Sequence, residues 1–187
     1  MNRSRLLALV IAVAAGAGLT ACERPPLNQP VQSLEGPYRL DSGDELRVVV
    51  YDQPSLTNIY EVDQSGQVSL PLIGDVPARG RSTDALASAI ASRYAMAYLR
   101  DPNVTVEVAN YRPFFVLGEV RTPGQYAYFP GMTAETAVAK AGGFTDRANK
   151  RVVRISRTLN QTLFEGRIAV TEPIRPGDTI YVSESLF

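Results

Sequence analysis

No histidine and no tryptophan occur in the 187 residues, and cysteine occurs once. Without imidazole a Ser-His-Asp or Cys-His nucleophile system cannot be assembled, and a zinc site of histidines and several thiolates is out of reach. Carboxylates, lysines, serines and tyrosines are what remains for catalysis. Net charge is lacking too, since 19 basic side chains balance 19 acidic ones. Binding a nucleic-acid backbone needs a net basic surface that displaces counterions, so no nucleic-acid partner is expected. What is present, 45% hydrophobic and 20% charged residues, fits a folded chain of one ordinary domain or two small ones.

The longest apolar run opens the chain. Arg3 and Arg5 form a short positive region, Leu6 to Gly18 is uninterruptedly apolar or small, and Leu19-Thr20-Ala21-Cys22 follows. The run is about 13 residues, against about 20 for a bilayer-spanning helix, so a secretory signal over residues 1–21 is the expectation. Its end resembles the bacterial lipobox, in which the cysteine is acylated and becomes the first residue. Several acyl chains on one residue hold a protein durably where a single chain holds it marginally. The alternative is an ordinary signal with an incidental thiol at Cys22. Residue 23 is Glu rather than the Asp associated with inner-membrane retention, which favours the outer membrane. Removing residues 1–21 takes away Arg3 and Arg5 and no acid, leaving 17 basic against 19 acidic residues, a net charge of −2.

From Cys22 to Pro37 the chain carries Pro25, Pro26, Pro30 and Pro37 with little apolar patterning, an extended lipid-anchored linker. A first compact unit is predicted over residues 38–110. Leu46, Val48 and Val50 alternate in a strand launched from the turn Asp41-Ser42-Gly43-Asp44. Asp63-Gln64-Ser65-Gly66 reads as the turn of a hairpin between 59–62 and 67–70, and 72–76 continues the sheet. A helix from about Asp84 to Tyr98, capped by Ser82 or Thr83, presents Leu86, Ile90, Tyr94 and Ala97 on one face. A second unit is predicted over residues 111–187. It comprises strands at 114–120 and 125–129, a short helix Ala134 to Ala141 opened by Gly131 and Thr133 and closed by Gly142-Gly143, and strands at 151–157, 162–168 and 179–183. The fold class is α+β, two small mixed-sheet units. Ser42-Gly43-Asp44 and Pro176-Gly177-Asp178 echo one another, which counts for little as a sign of duplication, because Gly-Asp turns before strands arise from backbone geometry alone.

These residues resemble the outer-membrane polysaccharide export (Wza-like, OPX) lipoprotein family. The first unit resembles its polysaccharide-export domain in Tyr38 to Leu46, in Pro54-Ser55-Leu56 and in Val62 to Gly74. The turn positions Gly43, Asp44, Gly66, Pro71 and Gly74 fall in these stretches. The second resembles a soluble-ligand-binding β-grasp (SLBB) domain in Val116-Leu117-Gly118-Glu119-Val120, in Pro123-Gly124-Gln125-Tyr126 and in Ala139 to Thr145 with Gly142 and Gly143. The resemblance implies a non-enzymatic export protein with no catalytic residue, cofactor or metal. It also implies a homo-oligomeric ring, polysaccharide as cargo and an inner-membrane co-polymerase or chain-length regulator as partner. Larger members end in a long amphipathic helix, whereas this sequence stops at Ser185-Leu186-Phe187. A separate outer-membrane β-barrel is therefore an expected partner.

Three features bear on alternatives. The pairs Asp41 with Asp44 and Asp63 with Asp75 admit a glycosidase dyad, but each sits beside glycine in a turn, where Asp bonds the backbone. Calcium finds no EF-hand spacing there. Arg147, Lys150, Arg151, Arg154 and Arg157 place five cations in eleven residues. They suit an anionic polysaccharide or a lipid headgroup, or else a solvated strand edge protected by charge. Tyr126 and Tyr128, at i and i+2 of one predicted strand, suit a sugar-stacking platform, or else core or subunit-interface packing. A monomeric carbohydrate-binding adaptor, a carboxylate-dependent glycan-processing enzyme and a structural envelope lipoprotein therefore stand beside the export reading.

Overall fold

The computed structural model describes residues 38–159 and 162–185. The signal segment, Cys22 and the proline-rich linker lie outside the described residues. Among the described residues no helix is long and apolar enough to cross a membrane.

In the first unit, strand β1 (Glu45–Val50) is central and antiparallel to β2 (Asn58–Glu61) and β5 (Val104–Asn110). A separate two-stranded hairpin pairs β3 (Gln67–Leu70) with β4 (Gly74–Pro77). Helix α1 (Thr83–Ala97) starts where the Ser82 hydroxyl accepts from the Ala85 N–H, satisfying one of the free donors of its first turn. Its i, i+4, i+8 residues Leu86, Ile90 and Tyr94 are fully buried against Leu46, Val48, Val68 and Val106. Ala97, expected on the same face, is exposed at the helix end.

The hairpin predicted around Asp63–Gly66 needs correction, because its two arms belong to different sheets. The turn closes through the Asp63 N–H on the Gln67 carbonyl at 2.9 Å and the Gly66 N–H on the Asp63 carbonyl at 3.0 Å. Beyond it the arms part, since the Val62 N–H bonds the Asp44 carbonyl, while the Gly66 carbonyl accepts from Ala78 and Arg79.

The second unit is one five-stranded sheet with β6 (Phe114–Gly118), β7 (Gly124–Tyr126), β8 (Val152–Leu159), β9 (Thr162–Ala169) and β10 (Thr179–Val182). Strand order is β7-β6-β10-β8-β9, with β10 parallel to β6 and the remaining pairs antiparallel. The last strand thus enters the middle, between two hairpins, with helix α2 (Ala134–Lys140) crossing one face, which is the β-grasp arrangement. Thr133 caps α2 through a reciprocal pair with Thr136. Ala134, Ala137 and Val138 pack on Phe114, Val116, Ile155, Ile180 and Val182, all buried. Alternation along each strand sends the remaining side chains to the opposite, uncovered face.

Two predicted strands are shorter than expected. β7 ends at Tyr126 because its partner β6 begins opposite it at Phe114, behind Pro113, which has no N–H to donate. β6 ends at Gly118, with φ +85°, and Val120 forms only a lone bridge to Phe144.

Candidate functional site

The two Gly-Asp corners are built alike. Gly43 and Gly177 have φ of +87° and +82°, and Asp44 and Asp178 behind them are both 0% exposed. A fully buried carboxylate is strongly unfavourable unless donors surround it. Asp44 receives the Tyr38 hydroxyl at 2.6 Å, the N–H groups of Asp41 at 2.9 Å and Arg112 at 3.1 Å, and the Arg112 guanidinium at 3.1 Å. Asp178 receives Arg157 in a two-bond fork, both contacts 2.7 Å, and the Arg175 N–H at 2.6 Å. Burial and the neighbouring Asp44 carboxylate push the Tyr38 hydroxyl well up from its ordinary range, keeping it a proton donor. Burial, then the nearby Arg157 charge, lowers Arg175.

Arg112 joins the two corners, its side chain passing over Gly43 and Gly177. Beside it Tyr38, Tyr111 and Tyr128 form a ladder of edge-to-face rings with centroids 5.0 and 5.5 Å apart. The junction between the two units is therefore a charge pair flanked by aromatic packing. Arg79 braces the neighbouring turn, bonding Asp41 at 2.8 Å and the Ser42 hydroxyl and Gln64 carbonyl.

The acidic pairs considered for hydrolysis are taken up in these ways. Asp41 meets Arg79, Asp44 is buried, Asp63 accepts from the Ser65 hydroxyl and the Gln67 N–H, and Asp75 accepts from Ser69. Each carboxylate holds a turn, a cross-strand pair or an ion pair. Among the described residues no three His, Cys, Asp or Glu side chains come together as a metal site would require.

The five-cation run is not one surface. Arg157 points to the core side and is buried on Asp178, and Arg147 pairs with Glu184. Arg154 lies on the uncovered face, its guanidinium 4.5 Å from the Tyr181 ring centroid. β8 runs inside the sheet between β10 and β9, which corrects the expectation of a charged strand edge. Arg147, Lys150 and Arg151, with Asp146, Asn149, Glu184 and Ser185, line an open groove of ≈ 840 Å³ at the end of β10.

Tyr126 and Tyr128 do not form an outward platform. Tyr126 is half-buried against Phe114 and its hydroxyl donates to the Thr122 carbonyl, while Tyr128 lies beyond β7 and donates to the Ile174 carbonyl at 3.3 Å. Burial raises the Tyr128 hydroxyl. Both sit on the core side, away from Arg154. The sequence reading missed Arg79 and Arg112. The signal for Arg112 was indirect, since a buried Gly-Asp corner demands a cation but does not say which one.

The fold defines a two-unit α+β protein whose second unit is a β-grasp. A family model described as polysaccharide biosynthesis/export protein matches residues 32–109, and one described as SLBB domain matches residues 113–170. The chain belongs to the polysaccharide export proteins that carry this pair of domains. The Exopolysaccharide production protein ExoF of Rhizobium meliloti (strain 1021) is 34% identical over 184 residues, covering 92% of this chain and 40% of that protein. The EPS I polysaccharide export outer membrane protein EpsA of Ralstonia solanacearum is 30% identical over 172 residues, 77% of this chain and 45% of its own. The Polysialic acid transport protein KpsD of Escherichia coli is 28% identical over 159 residues, 78% of this chain and 28% of its own. The chain thus spans less than half the length of these relatives.

Proposed function

We propose that the protein is a non-catalytic component of a capsular or exopolysaccharide export machine. In this reading the chain divides into an export domain, 38–110, and an SLBB domain, 111–187. It is held on the outer membrane by acylated Cys22, faces the periplasm and assembles as a homo-oligomeric ring around its polysaccharide cargo. Its partners are an inner-membrane chain-length regulator and a separate outer-membrane β-barrel. The observation that carries the reading is the order of the two matched domains along one chain, joined by relatives named for polysaccharide export and transport. Separate apolar cores on either side of residues 110 and 111 support the division.

The test is a deletion strain and native mass spectrometry of the lipidated protein in mild detergent. Loss of surface polysaccharide on deletion, restored by the wild-type chain, supports export. A closed ring supports the conduit, and a monomer at all concentrations overturns it in favour of the adaptor. Cys22→Ser should move the protein from the membrane fraction to the soluble fraction.

A further inference from the structure

The sheet face turned away from α2 carries a row that its own fold does not explain. Leu117, Tyr181, Arg154 and Arg167 are register partners on β6, β10, β8 and β9, side by side across four strands. At the usual strand spacing the row is roughly 14 Å long. Phe115 stands two residues before Leu117 on the same face. Phe115, Leu117 and Tyr181 are 39%, 42% and 39% exposed, unusual for residues of this size at the middle of a sheet.

Arg154 and Arg167 face each other across β8 and β9, both exposed. Like charges directly opposite destabilise an antiparallel pair. Among the described residues neither arginine meets a carboxylate within ion-pair distance, Glu165 on the same face included. Arg154 also lies over the Tyr181 ring, its guanidinium carbon 4.5 Å from the ring centroid, a cation–π contact that leaves its N–H donors without a carboxylate partner among the described residues. A planar anion set between the two arginines turns the repulsion into attraction, and a guanidinium fork matches a carboxylate with two parallel N–H bonds. Next to this clamp, the exposed parts of Tyr181, Leu117 and Phe115 offer apolar contact for the C–H face of a sugar ring.

We propose that this face binds a carboxylate-bearing polysaccharide, with Arg154 and Arg167 holding the acid group and Tyr181, Leu117 and Phe115 seating the neighbouring rings. The identification of that glycan as exported cargo rests on the export reading above, while the site itself rests on the row.

The experiment uses the full chain in detergent, titrated calorimetrically with an oligogalacturonate and with a dextran oligosaccharide of equal length. The uronate should bind about tenfold or more tightly than dextran at low salt and lose that advantage as salt screens the charges. Arg154→Gln with Arg167→Gln should lower uronate affinity about tenfold while leaving thermal stability unchanged or raised, since the repulsion is gone. Tyr181→Ala should weaken both glycans. Equal binding of the two glycans, or undiminished uronate affinity in the double variant, overturns the site. A changed native mass in the double variant also overturns it, because the face is then a contact between copies. Complementing the deletion strain keeps the two readings apart. Normal surface polysaccharide without the protein overturns export and leaves the titration standing. Full uronate binding by the double variant overturns the site and leaves export standing.

Discussion

Arg112 closes over Asp44, with its guanidinium 3.1 Å from one carboxylate oxygen and its own N–H 3.1 Å from the other. Those two contacts reach across 68 residues and fix the chain where it leaves β5 for β6. Asp44 is fully buried, so truncating either partner strands the other. Asp44→Ala or Arg112→Ala should cost about 3–5 kcal/mol in denaturant unfolding, the usual penalty for breaking a buried pair. The double variant should cost clearly less than the sum, which a double-mutant cycle measures directly. Arg112→Ala should also speed proteolysis at residues 110–113, because the same side chain spans both Gly-Asp corners.

The second corner allows a sharper test of what the charge is for. Arg157 grips Asp178 through two 2.7 Å bonds inside the β-grasp. Arg157→Lys keeps the charge but loses the fork, and should destabilise by about 1.5–3 kcal/mol. Asp178→Asn should cost about 3–5 kcal/mol, since it leaves a buried guanidinium without its counter-charge. Chemical denaturation of both variants checks the order. A larger cost for Arg157→Lys than for Asp178→Asn would mean that shape rather than charge holds the corner.

These two corners show what was readable in the chain and what was not. The helices and their caps at Ser82 and Thr133 follow from local rules, since a cap bonds N–H groups within three residues. Both Gly-Asp turns were legible for the same reason, and their echo proves to extend to a shared burial of the carboxylate. Arg112 and Arg79 were not legible, because the residues they serve lie 68 and 38 positions away and no local spacing encodes that pairing. Arg157 was miscounted as one of a surface run, since its neighbours in sequence alternate across the sheet while its charge reads the same on either face. The arms flanking Asp63–Gly66 were paired with each other for a related reason. Turn chemistry fixes a reversal, but which strand each arm then joins is decided by the sheet.

The Asp63 turn supplies a pH test. The Ser65 hydroxyl, followed by the Gln67 N–H, holds this exposed carboxyl below its ordinary value of 3.8. A folded pKa below the unfolded one contributes stability that is present above pH 3.8 and lost as pH falls through the depressed value. Wild type should therefore lose more stability than Asp63→Asn between pH 5 and pH 2. Parallel acid slopes for the two proteins would show that the turn bonds do not favour the charged form.

Gly118 is where β6 stops, and it is the position at which the β-grasp should tolerate substitution least. Its φ is +85°, and a Cβ there would stand 2.1 Å from the Val182 carbonyl oxygen on β10. Backbone cannot give way as the tip of a side chain does, so β6 and the central strand must separate. Gly131 has nearly the same φ, +84°, with open space around it. Gly131→Ala should then cost only the left-handed backbone penalty, about 1–2 kcal/mol. Gly118→Ala carries the same penalty plus the collision, and should exceed it by at least about 2 kcal/mol. Thermal unfolding of the two alanine variants reads the difference directly. Because the uncovered row runs through Leu117, the residue before this glycine, Gly118→Ala should also weaken uronate binding, whereas Gly131→Ala should leave it unchanged.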